Sequence, residues 1–162
     1  MADITVGIGE ARLSSCTGDK ITTFSLGSCL GLTVYDPVTK VGGMIHCQLP
    51  NAKLNPQKAS ETPAAFVDTG IPYLFRKAYA MGAEKSRLIV KIAGCANQSA
   101  NGKEEEIFKI GERNYITARK MLWQNGILIS AEEIGGGASR TLSLDIDTGI
   151  VTIKSAGKVI TL

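Results

Sequence analysis

Apolar residues in this chain come mostly in short runs, many of them alternating or β-branched, and few fall at helical spacing. Over Asp3 to Ile8, Ile4, Val6 and Ile8 alternate with other residues and predict an N-terminal strand. After a break at Gly9-Glu10-Ala11, a second short strand is predicted over Arg12 to Cys16. A turn at Thr17-Gly18-Asp19 then leads to a third run from Ile21 to Phe24. The densest pair follows: CLGLTVY (Cys29 to Tyr35) and VGGMIHCQL (Val41 to Leu49), joined by Asp36-Pro37-Val38-Thr39-Lys40. Proline suits the start of that bend because its φ is already fixed. A hairpin folded about Val38 makes facing residue numbers sum to about 76, within one for register, which sets Cys29 opposite His46 or Cys47.

Helical spacing appears twice, in the middle of the chain. Pro50 to Thr62 (PNAKLNPQKASET) is polar and reads as a loop, and Thr62-Pro63 resembles an N-cap followed by proline at the first helical position. A helix to about Ala80 would place Val67, Ile71, Leu74, Phe75 and Ala78 on one face, with Gly82 as its stop. Gly70 and Pro72 lie inside it, so a kink or break is expected near Asp68. The second helix runs from about Gly111 to Gln124, with Tyr115, Ala118, Met121 and Leu122 inward and Gly126 ending it. Between the helices, Arg87 to Ala93 reads as a central strand, and Gly94 to Gly102 as a small-residue loop. The charged cluster Lys103-Glu104-Glu105-Glu106 reads as a solvated loop or helix start. Further strands are predicted over Ile127 to Glu133, Thr141 to Asp145, Ile150 to Lys154 and Val159 to Leu162. The hairpin between the middle two turns at Asp147-Thr148-Gly149, and Gly135-Gly136-Gly137 forms a loop. Strands around two central helices favour an α+β sandwich over a doubly wound parallel fold.

Composition narrows the functional classes. The 162 residues, 44% apolar and 20% charged, fit one globular domain spanning 1–162. No apolar run approaches the ~20 residues that cross a bilayer. Met1-Ala2-Asp3-Ile4 lacks the basic start and apolar core of a signal peptide, so a cytoplasmic protein with reduced thiols is expected. Cys16, Cys29, Cys47 and Cys95 form no C-x-x-C pair, and His46 is the single histidine; neither a metal site nor a cofactor is expected. The net charge of +3 is scattered, without the basic runs that mark nucleic-acid or membrane binding.

Candidate chemistry gathers on the central hairpin. A cysteine is nucleophilic as its thiolate, and an imidazole beside it can take the proton. Gly27-Ser28, just before Cys29, allows a tight backbone whose N–H groups could face a developing oxyanion. The competing reading is plain packing, since free cysteines are among the most buried residues and a lone histidine is more often structural.

Taken in order, several segments resemble the CheD family of chemoreceptor glutamine deamidases over nearly the whole chain. They are VGIGE (Val6 to Glu10), LGSC (Leu26 to Cys29), YDPVTKVGGMIH (Tyr35 to His46), Leu49-Pro50, the helix around Asp68, KIAG (Lys91 to Gly94) and IGERN (Ile110 to Asn114). The glycine run before Arg140 and the DTG after it complete the set. The resemblance implies Cys29 as nucleophile, His46 as base and Thr23 as the group orienting the histidine, in a layered α/β sandwich. It implies a hydrolase of glutamine side chains on methyl-accepting chemotaxis receptors, working in chemotaxis signal transduction. One departure is visible: family members often read Gly-Gly-Ala-Ser after KIA, where this chain reads Gly94-Cys95-Ala96-Asn97. Two other readings stand beside the enzyme. One is an adaptor that regulates a CheC-type phosphatase of the CheY response regulator; the other is a redox-sensing thiol protein using Cys29 and Cys47. The sequence assigns no role to Cys95 or to the Gly135 to Gly137 loop.

Overall fold

Ten strands in two five-stranded sheets carry the architecture seen in a computed structural model, which describes residues 2–97 and 109–162. The first sheet has the order β1 (Asp3–Thr5), β3 (Lys20–Leu26), β8 (Arg140–Asp145), β9 (Val151–Ser155), β10 (Lys158–Thr161). The second has the order β2 (Ala11–Ser14), β5 (Val41–Cys47), β4 (Leu30–Asp36), β6 (Ile89–Gly94), β7 (Ile129–Ile134). Neighbours are antiparallel except β1 with β3 and β6 with β7, and the latter pair is linked through the segment that contains a helix. The predicted α+β sandwich is thus the observed fold. Lys103 to Glu106, expected as a solvated loop or helix start, lie outside the described residues.

Alternation along the strands divides the interior into two apolar layers. On β5, Met44 packs between the sheets with Ile21, Leu26, Leu142, Leu144 and Ile153. Its neighbours Ile45 and Cys47 face the other way, into a layer with Leu74, Phe75 and Leu122 from the helices. Those helices, α2 (Val67–Ala80) and α3 (Ile110–Gln124), therefore cover the outer face of the second sheet. Because β4 and β5 have neighbours on both faces and both edges, every residue of both strands is buried. Gly31 and Gly42 let the sheets approach: a Cβ on Gly31 would lie 2.7 Å from Leu26 and 2.8 Å from Leu142.

Two local expectations change. Pro50 to Thr62 is not wholly a loop, since it holds a short helix α1 (Pro56–Glu61). Asn55 caps it by accepting from the Lys58 N–H at 3.2 Å, and Pro56 takes the first helical position. The interruption in the following segment falls at Phe66, two residues before the expected place. Phe66 is extended and fully buried, forms an isolated bridge with Leu49, and is followed by Val67 N–H donating to Leu49 O at 2.9 Å. That tertiary bridge sets the break, while Pro72 is carried inside α2.

Candidate active site

The β4–β5 hairpin has a register one step from the expected sum: Gly31 faces His46 and Leu30 faces Cys47. Cys29 is therefore not opposite His46 or Cys47. It precedes β4 by one residue because the carbonyls of its loop are held elsewhere. Ala96 N–H donates to Gly27 O at 2.9 Å and Cys95 N–H to Cys29 O at 2.8 Å. Asn114 Nδ2 donates to Ser28 O at 3.0 Å. Cys29 is half-buried and packs against the inter-sheet layer, the side to which Gly31 and His46 also belong.

His46 is completely buried, and its partner comes from the other sheet. Thr23 Oγ1 on β3 lies 2.7 Å from His46 Nδ1 and 2.7 Å from Val6 O. A carbonyl can only accept, so the single hydroxyl proton of Thr23 goes to Val6, and Oγ1 must accept from Nδ1–H. The imidazole is thereby fixed as the Nδ1–H tautomer, with an unprotonated lone pair on Nε2. Nε2 has no hydrogen-bond partner among the described residues. A buried acceptor left unpaired in this way costs roughly 1–3 kcal/mol, so it marks a site whose geometry serves something other than stability.

Burial sets the protonation states. Desolvation holds the His46 imidazole down to about 4, so it is neutral around pH 7. Burial also raises the Cys29 thiol, while its own backbone N–H, which favours the thiolate, opposes that shift. Both groups are therefore neutral in the ground state, and the Cys29 thiol makes no hydrogen bond to His46 Nε2. The other two thiols of the hairpin region are more deeply buried. Burial drives Cys47 well above its ordinary value and Cys95 up to about 12. Cys95 sits in the left-handed region at φ 52°, following Gly94 at φ 98°. The Gly135 to Gly137 loop touches the same end of the molecule, with Asn97 N–H donating to Gly136 O at 2.8 Å and Gly135 N–H to Gly94 O at 3.0 Å. Among the described residues no group of histidine, cysteine and carboxylate side chains could hold a metal ion. No helix among them is long and apolar enough to cross a membrane.

Thr23 and His46, 23 positions apart, are thus in direct contact, with Cys29, Gly27 and Ser28 in the adjoining loop. Two further contributors lie within the VGIGE and IGERN segments, whose pattern assigns them no role: Val6 O fixes the direction of the Thr23 hydroxyl, and Asn114 reaches the loop from α3, both through long-range contacts.

The sequence profile described as CheD chemotactic sensory transduction matches residues 48–155. The chain is 45% identical over 157 residues to a Syntrophus aciditrophicus protein named probable chemoreceptor glutamine deamidase CheD 1, covering 97% of this chain and 96% of that one. It is 40% identical to a similarly named protein of Solibacter usitatus, with 98% and 92% covered, and 43% identical to one of Pyrococcus abyssi, with 98% and 96% covered. A crystal structure of a Neisseria meningitidis protein of the DUF152 family aligns at a TM-score of 0.40 and 12% identity. It covers 83% of this chain and 58% of that chain. The profile match and the near-complete span of these relatives show that the chain belongs to the CheD family.

Proposed function

We propose that this protein is a chemoreceptor glutamine deamidase, a hydrolase that converts glutamine side chains on the cytoplasmic helices of methyl-accepting receptors to glutamate. The observation that carries the reading is the polarity of the Val6–Thr23–His46 relay, which leaves His46 Nε2 as a bare, buried acceptor on the inter-sheet side against which Cys29 also packs. The names of the relatives support the substrate class.

Because thiol and imidazole both start neutral, His46 Nε2 takes the Cys29 proton as the sulfur attacks, rather than holding a preformed ion pair. Sulfur forms a bond to the carboxamide carbon, and the carbonyl π electrons move to oxygen. The resulting oxyanion is met by backbone N–H groups of the Gly27 to Cys29 loop. The His46 imidazolium then gives its proton to nitrogen, the C–N bond breaks, and ammonia leaves a thioester. Neutral His46 next draws a proton from water, whose oxygen displaces sulfur, and Cys29 recovers its proton as glutamate forms. Thr23 stabilises the imidazolium through Nδ1–H and fixes the tautomer throughout.

The test is ammonia release with the glutamine-to-glutamate mass shift on a receptor cytoplasmic fragment, for wild type, Cys29→Ala and His46→Ala. Activity in the wild type that is lost in both variants is expected. No release from several receptor fragments, with a CheC-type phosphatase still bound, would replace the enzyme by the adaptor.

A further inference from the structure

Among the described residues, two buried side-chain polar atoms have no hydrogen-bond partner: His46 Nε2 and Asn114 Oδ1. The first is the base of the proposed reaction. The second belongs to a side chain that the reaction above does not use. Asn114 is fully buried on α3, and its Nδ2 donates to Ser28 O at 3.0 Å and to Gln48 O at 3.2 Å. Both partners are backbone carbonyls, so the –NH2 edge must face them and Oδ1 is turned away. Ser28 immediately precedes Cys29, and Gln48 lies two residues beyond His46. One carboxamide therefore bridges the ends of the two chain segments that carry the thiol and the imidazole.

A trans peptide points its C=O and N–H in opposite directions. Holding the Ser28 carbonyl towards α3 turns the Cys29 N–H away from α3, to the side where that N–H favours the thiolate. The carbonyls on either side, Gly27 and Cys29, are held by the backbone of Ala96 and Cys95. Ser28 alone of the three is held by a side chain. An apolar residue here would remove the unpaired Oδ1 but would also leave the Ser28 and Gln48 carbonyls without this donor, so the cost of Oδ1 is tied to the grip on the loop.

We propose that Asn114 is a positioning residue that aims the Cys29 N–H at the tetrahedral oxyanion by gripping the Ser28 carbonyl. The proposal rests on the deamidase reading for the identity of the substrate, while the geometry applies to any acyl attack by Cys29.

Two reactions of Cys29 separate aim from folding. Iodoacetamide alkylates the sulfur through a tetrahedral carbon: the thiol proton passes to base, an S–C bond forms, iodide leaves, and no oxyanion appears. A glutamine-derived peptide aldehyde adds reversibly instead, forming an S–C bond while its carbonyl oxygen takes up the charge and then the thiol proton. Asn114→Ala is expected to weaken the aldehyde adduct about tenfold or more and to lower kcat about 10–100-fold, with KM within about twofold. The limiting alkaline rate of iodoacetamide at Cys29 should stay as in the wild type, while its pH profile moves to higher pH as the Cys29 N–H turns away from the thiolate. Asn114→Asp should fail likewise at neutral pH, and recover adduct affinity as acid protonates its buried carboxyl and restores a donor. Parallel loss of alkylation and adduct formation would overturn the proposal in favour of a structural role, and so would no loss of either. A wild type that binds the aldehyde but releases no ammonia from receptor fragments would refute the deamidase reading, while the Asn114 comparison still decides the aim.

Discussion

His46 works as a neutral base because it is buried, and the same burial makes the protein's stability depend on pH. The folded imidazole titrates at about 4, against about 6.5 in an unperturbed chain. Between those values the unfolded state binds the extra proton, so stability rises with pH there. The contribution is fully present above about pH 6.5 and is lost as pH falls to about 4, with a slope of at most about 1.4 kcal/mol per pH unit. His46 is the single histidine, so denaturant titrations between about pH 7 and pH 5 should show this loss, and a His46→Asn variant should not. Rate follows the same constants. Deamidation should keep its activity on the acid side to about pH 5, and alkylation of Cys29 should rise towards alkaline pH, without the plateau at neutral pH that a thiolate–imidazolium pair gives. Thr23 has its own signature. Thr23→Val keeps the shape but removes the acceptor for Nδ1–H and the donor to Val6 O, so kcat should fall about 10–100-fold and stability by about 1–3 kcal/mol. Thr23→Ser, which retains the hydroxyl, should recover most of both.

At the scale of elements, the site depends on how closely α3 approaches the strand ends. A Cβ on Gly111, in the first turn of α3, would meet Cys95 O at 2.6 Å as well as Ala96 O. Alanine normally stabilises an exposed helix position by about 1 kcal/mol relative to glycine. Here the obstacles are backbone atoms that cannot swing away, and the overpacking cost of about 1–3 kcal/mol wins. Gly111→Ala should lower Tm and, by lifting Asn114 from Ser28, reduce deamidation; thermal melts and ammonia release read the two effects separately. The local determinants of these elements were legible in the sequence: the β4–β5 hairpin, the face and stop of α2, α3, and the C-terminal hairpin all follow from period and turn chemistry. Helix α1 was not, because the polar stretch Pro50 to Thr62 reads as a loop, although its Asn55-Pro56 pair serves as cap and first helical residue. Nor was the break at Phe66, which a bridge to Leu49, 17 positions away, decides. The Thr23–His46 contact became legible only through resemblance, since no periodicity reports which residues of two different sheets will face each other.

Across the whole molecule, the two sheets are fastened at opposite ends by polar clasps of different consequence. At the end away from the site, Tyr35 on β4 donates its hydroxyl to Ile146 O at 2.8 Å, beyond β8. At the site end, the buried Arg140 on β8 reaches the second sheet. It pairs with Glu133 on β7 and donates to Gly94 O at 3.2 Å and to Gly135 O at 2.7 Å. Gly94 also abuts the nucleophile, because a Cβ there would lie 2.5 Å from Cys29 O. Arg140 therefore holds both the sheet and the backbone against which the Cys29 loop rests, whereas Tyr35 holds only the sheet. Tyr35→Phe removes one buried hydrogen bond and should cost about 1 kcal/mol, a Tm change of roughly 2–4 °C, with deamidation unchanged. Arg140→Gln removes charged donors to Glu133 and to two backbone carbonyls, and should cost roughly 2–3 kcal/mol. It should also lower kcat about tenfold or more, because the Gly94–Cys95 segment that holds Cys29 O is released. Melting and turnover measured on both variants give the decisive comparison. If Arg140→Gln lost stability but kept the wild-type kcat, the clasp would fasten the sheets without bearing on the reacting groups.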